Sequence, residues 1–264
     1  MTADGSKILV CASDDDTIQI IDAATLRIVG TLPSGPDPET FALHVSGNPL
    51  YVSNEDDNMV TVIDLPTRKV LAQIPTGVEP EGMAVSPDGQ TIVNTSETTN
   101  MAHFFDYQTR KMVAAVAVDA RPRIAMFKHD GSEVWVSSEL GGTVSVIDPI
   151  KHAVTHKITF EVQGLRAEAI QPVGIQFTRN DETAFVALGP ANRVAVVDTK
   201  AYKVQKLLLV GQRVWQMAFT PDQKYLLTTN GLSNDISMID VAALDVVKSI
   251  EVGRLPWGVV VSPK

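Results

Sequence analysis

Cysteine is nearly missing from this chain. Cys11 stands alone among 264 residues, so no disulfide can form within it. Positive charge is also short, with 22 Lys and Arg against 31 Asp and Glu and a formal net charge of −9. That balance excludes nucleic acid and anionic membrane as main partners, because phosphate binding needs a basic face. No apolar run reaches the length of a membrane-spanning helix. No signal peptide is legible, since Met1 is followed at once by the turn-like Thr2-Ala3-Asp4-Gly5; a removed leader would leave the same absence. The phosphate loop, the nucleophile elbow and the paired-cysteine metal site are all lacking. His44, His103, His129, His152 and His156 are scattered, so a serine or cysteine nucleophile finds no histidine base. No catalytic residue, metal ligand or cofactor is therefore assigned.

What is present is a repeat. An Ile-Asp pair or its variant closes one apolar run per unit, at Asp22, Asp64, Asp106, Asp148, Asp198 and Asp240. The spacings are 42, 42, 42, 50 and 42 residues, a period that belongs to propellers with several short strands per unit. Turns such as Pro87-Asp88-Gly89 and His129-Asp130-Gly131 recur between strands, glycine supplying the positive φ of a tight hairpin. Runs such as Ile8 to Ala12, Thr17 to Ile21, Arg27 to Leu32 and Thr40 to His44 are rich in β-branched residues. Many are apolar at nearly every position, as expected when both faces of a sheet are covered. The landmark aspartates end strands before turns, where a carboxylate accepts local N–H groups.

The reading is an all-β, single-domain chain, residues 1–264: a β-propeller of six four-stranded antiparallel blades. The last run, Trp257 to Ser262, looks like an innermost strand. It is expected to pair with the N-terminal strand and close the ring.

In such a wheel the loops between second and third strands and the loops between blades share one face. Aligning the inter-blade loops gives two rings around the channel mouth. One holds Asp37, Glu79, Arg121, Gln171, Arg213 and Leu255; the other holds Glu39, Glu81, Arg123, Val173, Trp215 and Trp257. The other loop set adds Glu55, Glu97 and Glu139 at one matched position. Charges of both signs with two indoles resemble a binding site. Glu39, Glu81, Arg121, Arg123, Arg213, Trp215 and Trp257 are the candidate partner- or ligand-binding residues, as Trp and Arg dominate hot spots. Two other readings stand beside this one: a solvated rim of self-paired charges, and a metal-assisted hydrolase using Glu39, Glu81, Glu97 and Glu139, since hard cations take several oxygens. The excess residues of the fourth unit, within Phe160 to Gln171, are expected to form a lip on the same face that presents Arg166 and Glu168. His103 occupies a third-strand column and is expected to find a hydrogen bond between blades.

Leu50 to Asn54, Val62-Ile63-Asp64, Pro80 to Val85 and Ser86 to Gly89 resemble the YVTN β-propeller repeat family across essentially the whole chain. Ala12 to Asp16, Asn94 to Phe104, Gly189 to Asp198 and Val210 to Trp215 are similar to the PQQ-dependent catabolism-associated propeller proteins of bacteria. That likeness implies an exported, periplasmic or secreted scaffold serving quinoprotein alcohol oxidation, with a protein partner or small ligand at the loop face and a monomeric state. A surface-layer role is a further alternative, because YVTN repeats also occur there. The family usually has seven blades and a leader. Six repeats without one imply a truncated piece or a shortened gene product, whose ring either recloses at six, as near-identical repeats allow, or leaves a gap.

Overall fold

The computed structural model describes residues 1–2 and 4–263; Ala3 of the first turn lies outside them. It is a six-bladed β-propeller of antiparallel blades. The first blade contributes Lys7–Ala12, Thr17–Asp22 and Arg27–Pro33. The second runs Pro38–Leu43, Leu50–Asn54, Met59–Asp64 and Lys69–Pro75, and the third Pro80–Val85, Thr91–Ser96, Met101–Asp106 and Met112–Ala117. Pro122–Phe127, Val134–Ser138, Thr143–Asp148 and Ala153–Thr159 form the fourth. The fifth is Ile175–Phe177, Thr183–Ala187, Arg193–Asp198 and Lys203–Leu209. The sixth is Val214–Phe219, Tyr225–Asn230, Asp235–Asp240 and Asp245–Glu251. Strands are lettered A to D outward from the hub in complete blades, so the first blade supplies strands B, C and D.

The landmark aspartates hold the C–D turns. Asp22 accepts the amides of Ala24 and Thr25, Asp148 those of Ile150 and Lys151, and Asp198 those of Lys200 and Ala201. These bonds favour the ionised form, and the carboxyl of Asp148 is drawn down to about 2 by Lys151 and the turn amides.

Packing runs from blade to blade. Five apolar clusters each straddle two neighbours, from the first and second blades through to the fifth and sixth. Among the largest fully buried side chains, Trp135, Phe104, Phe105 and Phe185 sit in the third, fourth and fifth blades. A polar clasp accompanies the packing. Asp16, Asn58, Asn100, Asn192 and Asn234 all adopt a left-handed backbone conformation. Each side chain accepts the amide of an inter-blade residue one blade on: Asp37 (3.0 Å), Glu79 (3.0 Å), Arg121 (3.0 Å), Arg213 (2.8 Å) and Leu255 (2.9 Å). The recipients have positive φ as well. Asparagine and aspartate tolerate that conformation while offering a short acceptor.

The expected closure does not form. Trp257 to Ser262 makes no regular strand, and the first sheet has three strands. The segment is instead held by the sixth blade. Thr229 Oγ1 donates to the Trp257 carbonyl at 2.7 Å, as Ser53 Oγ does to Glu81 O (2.5 Å) and Thr95 Oγ1 to Arg123 O (2.9 Å). The segment thus sits where the next blade's strand A belongs while remaining unladdered to Lys7–Ala12. Among the described residues no apolar cluster joins the sixth blade to the first.

Replacing Asn100 by Ala removes one clasp and forces a left-handed alanine. A loss of about 1–2 kcal/mol in denaturant unfolding is expected, with Asn100→Gly losing less.

Candidate functional site at the hub mouth

The two loop sets meet at the mouth because their backbones are laced together. The amides of Glu55, Glu97, Glu139 and Gly231 donate to the carbonyls of Asp37 (3.0 Å), Glu79 (2.8 Å), Arg121 (2.8 Å) and Arg213 (2.9 Å). This repeated bond fixes each B–C turn against the inter-blade loop before it. Carboxylates distant in sequence are thereby aimed at one opening.

One side of the mouth is a charge network. Arg123 is buried at 8% exposure. Its Nη2 lies 3.0 Å from Glu81 Oε1, its Nη1 bonds Glu97, and its Nε is 3.8 Å from Glu139 Oε2. Arg121 Nε reaches Glu97 Oε2 at 2.8 Å and Glu139 Oε2 at 3.4 Å. Arg213 Nη2 holds Glu139 Oε1 at 2.6 Å while its Nη1 takes Gln171 Oε1 at 2.7 Å. The Arg213 guanidinium carbon stands 4.2 Å from the Trp215 ring centroid, and that of Arg123 stands 5.9 Å from it. Five of the seven candidates, Glu81, Arg121, Arg123, Arg213 and Trp215, thus meet in one contact network. Arg123 shapes the field of the mouth from beneath rather than offering itself to a partner.

The other side is acidic and unneutralised. Asp37, Glu39 and Glu55 bring carboxylate oxygens within 4.8 Å of one another. Burial and mutual repulsion raise all of Glu39, Glu55 and Glu81; Glu55 is pushed up to about 7, and Glu81 well above its usual value despite Arg123. Oxygen donors so grouped suit a hard cation or an ammonium or guanidinium group. Trp257 stands apart from the arginine network, on the wall of a cavity it shares with Glu39.

The sequence puts Asp37, Glu39 and Glu55 in three separate sets; the Glu55–Asp37 backbone bond and a side-chain hydrogen bond between Glu39 and Glu55 bring them together. The asparagine clasps were equally missed, although Asn58, Asn100, Asn192 and Asn234 recur at unit spacing apart from the longer fourth unit. The Phe160–Gln171 insertion anchors itself through buried Phe160, Val162 and Ile170. Its exposed part carries Arg166 and Glu168, and Gln171 links it to Arg213. His103 departs from expectation. It is 6% exposed, and neither ring nitrogen has a hydrogen-bond partner among the described residues. Gly77 lies over it, so close that a β-carbon there would stand 2.5 Å from Nε2. Burial accordingly lowers its basicity.

Comparison with known proteins adds three findings. The choice-of-anchor I domain profile matches residues 67–224, more than half of the chain. The cytochrome D1 heme domain profile matches residues 5–125. A solved structure of Kuenenia stuttgartiensis hydrazine synthase superposes with a TM-score of 0.88 at 20% identity, covering 100% of this chain and 88% of that one. At that identity the likeness establishes the fold alone. No curated protein matches the chain. No helix among the described residues is long and apolar enough to cross a membrane.

The heme match invites a test against the donors present, and neither the histidines nor the cysteine offers a ligand to a heme at the hub. His44 is stacked on Tyr107 and bonded to Ser46 and the Gly89 carbonyl, and His129 is bound to Asp181. His152 packs edge-on against Phe104, and His156 stacks on Tyr202. His103 is capped by Gly77. Burial beside Glu39 and Glu81 pushes the Cys11 thiol far up, which leaves it protonated.

Two predictions follow from the mouth's charges. Glu55 has a folded pKa above its unfolded value, so the unfolded chain loses its proton first as pH rises. Stability should therefore fall between about pH 4.5 and 7, and Glu55→Gln should flatten that fall in thermal unfolding scans. Arg123→Ala strands buried carboxylates and should cost about 3–5 kcal/mol in denaturant unfolding.

Proposed function

Because the chain belongs to the choice-of-anchor I domain family, we propose that it is a non-catalytic recognition and scaffold propeller of the cell surface or periplasm. Its hub mouth takes a cationic group from a protein partner. The observation that carries this reading is the imbalance of the mouth. Arg121, Arg123 and Arg213 are consumed by Glu81, Glu97 and Glu139, while Asp37, Glu39 and Glu55 face one another with no cation in contact among the described residues. A lysine or arginine arriving there would relieve repulsion and form charge-assisted bonds. Trp257, on the wall it shares with Glu39, and Trp215, against the arginine network, supply aromatic area. The family's name speaks of anchoring, which agrees with an extracellular or cell-surface setting. The likeness of Asn94–Phe104 and Gly189–Asp198 to PQQ-associated propellers supports a component of a quinoprotein alcohol-oxidation system as the partner. A surface-layer role would use the same mouth for self-association.

A lactonase-like hydrolase on this rim needs free carboxylates around a divalent cation. Of Glu39, Glu81, Glu97 and Glu139, the last three are ion-paired with arginine. That geometry favours recognition over hydrolysis.

Partner capture from an extracytoplasmic extract should fall about tenfold with Glu39→Gln or Trp215→Ala and weaken with salt. Unchanged capture by both variants would count against the mouth. Calcium or manganese binding with lactone turnover that Glu39→Gln abolishes would replace this reading by the hydrolase.

A further inference from the structure

Beneath each B–C turn of the complete blades, the residue that ends strand B and the third residue of strand C stand on one face of the sheet. The second blade fills this place with Asn54 and Thr61, and the sixth with Asn230 and Ser237. Thr61 Oγ1 donates to Asn54 Oδ1 at 2.7 Å, and Asn54 Nδ2 donates onward to the Gly35 carbonyl at 2.9 Å. Asn230 Nδ2 donates to Ser237 Oγ at 2.9 Å. The fifth blade, with Leu188 and Ala195, has no polar side chain there to satisfy. The third and fourth blades carry serine where the second and sixth carry asparagine. There Ser96 Oγ, both ring nitrogens of His103, Ser138 Oγ and Ser145 Oγ are buried without a hydrogen-bond partner among the described residues. An asparagine amide reaches across to strand C, and the shorter serine hydroxyl does not.

In the third blade these atoms converge. A β-carbon built on Gly77 would stand 2.5 Å from His103 Nε2, 2.5 Å from Thr99 Oγ1 and 2.7 Å from Ser96 Oγ, so any two of the three lie within about 5 Å of each other. A water bonded to two atoms at once spans as much as about 5.6 Å. Ser96 is fully buried, and Thr99 belongs to the exposed turn above it. Burial keeps the His103 ring neutral, with one nitrogen a donor and the other an acceptor, and both are costly to leave unmet.

We propose that Gly77, Ser96, Thr99 and His103 form a seat for one ordered water molecule, which bridges His103 Nε2 to Ser96 Oγ and replaces the asparagine amide of the second and sixth blades. Water supplies both a donor and an acceptor, as the amide does, in a volume of about 30 Å³. Gly77 keeps the place clear, since any side chain there would meet all three polar atoms. The seat lies under the turn that carries Glu97, the partner of Arg121 and Arg123. The inference stands on the buried atoms of one blade and is independent of what the mouth binds.

The test is a crystal structure of the full chain at a resolution that shows solvent, paired with NMR of the chain labelled with nitrogen-15 histidine. Density for one water within about 3.2 Å of both His103 Nε2 and Ser96 Oγ is expected. A nuclear Overhauser effect from a long-lived water to the His103 ring, assigned by its loss in His103→Thr, should accompany it. Ser96→Asn should expel the water, abolish that effect and unfold at a midpoint no lower than the unaltered chain. Ser96→Ala should lower the thermal midpoint by about 2–4 °C. A direct bond from Nε2 to Ser96 or Thr99, no density at the seat, or the anomalous signal of a metal ion there would each overturn the proposal. Retention of the water by Ser96→Asn would overturn it as well. The first two measurements use the unaltered chain, so they decide the matter even if a variant fails to fold.

Discussion

A sheet with two apolar faces is stable only when both are covered, and each blade here is such a sheet. The middle blades meet the condition fully: Val93, Val136 and Val186 are each 0% exposed. The end blades do not. Val10 on the first blade is 38% exposed and Trp257 beyond the sixth is 37% exposed, because the apolar clusters stop at the sixth blade. Dry central blades and a half-open joint are one fact seen from two sides. Burial contributes on the order of 25 cal/mol per Å² of apolar surface, so the wheel's stability is concentrated away from that joint.

Burial also governs the electrostatics of the hub. Beneath the mouth Arg123 is nearly inaccessible, and an ion held there requires partners on every side. Glu81, Glu97 and Glu139 provide them from the third and fourth blades, and Arg121 and Arg213 close the network. The same depth raises the proton affinity of Glu81 despite its pairing with Arg123, and that of Glu39 beside it. The mouth is therefore saturated on one side and starved of cations on the other. A symmetric ring would instead offer equivalent sites around its circumference.

The blade-to-blade clasps connect these two themes. Each asparagine fixes the backbone of a residue two places before a mouth residue, so the clasp that steadies packing also sets where Glu81, Arg123, Trp215 and Trp257 stand. Thr229 and Asn234 hold the C-terminal segment by the same contacts used between complete blades.

Blade number, strand positions, the face shared by the two loop sets and the structural duty of the landmark aspartates were all legible in the chain itself. They depend on a local pattern repeated at one period, and local hydrogen bonds enforce it each time. The Arg123 network, the Asp37–Glu39–Glu55 group, the cap of Gly77 over His103 and the unpaired terminal segment were decided only by tertiary structure. Those features depend on angles accumulated over successive blades and on which charge arrives opposite which. No single repeat encodes that sum.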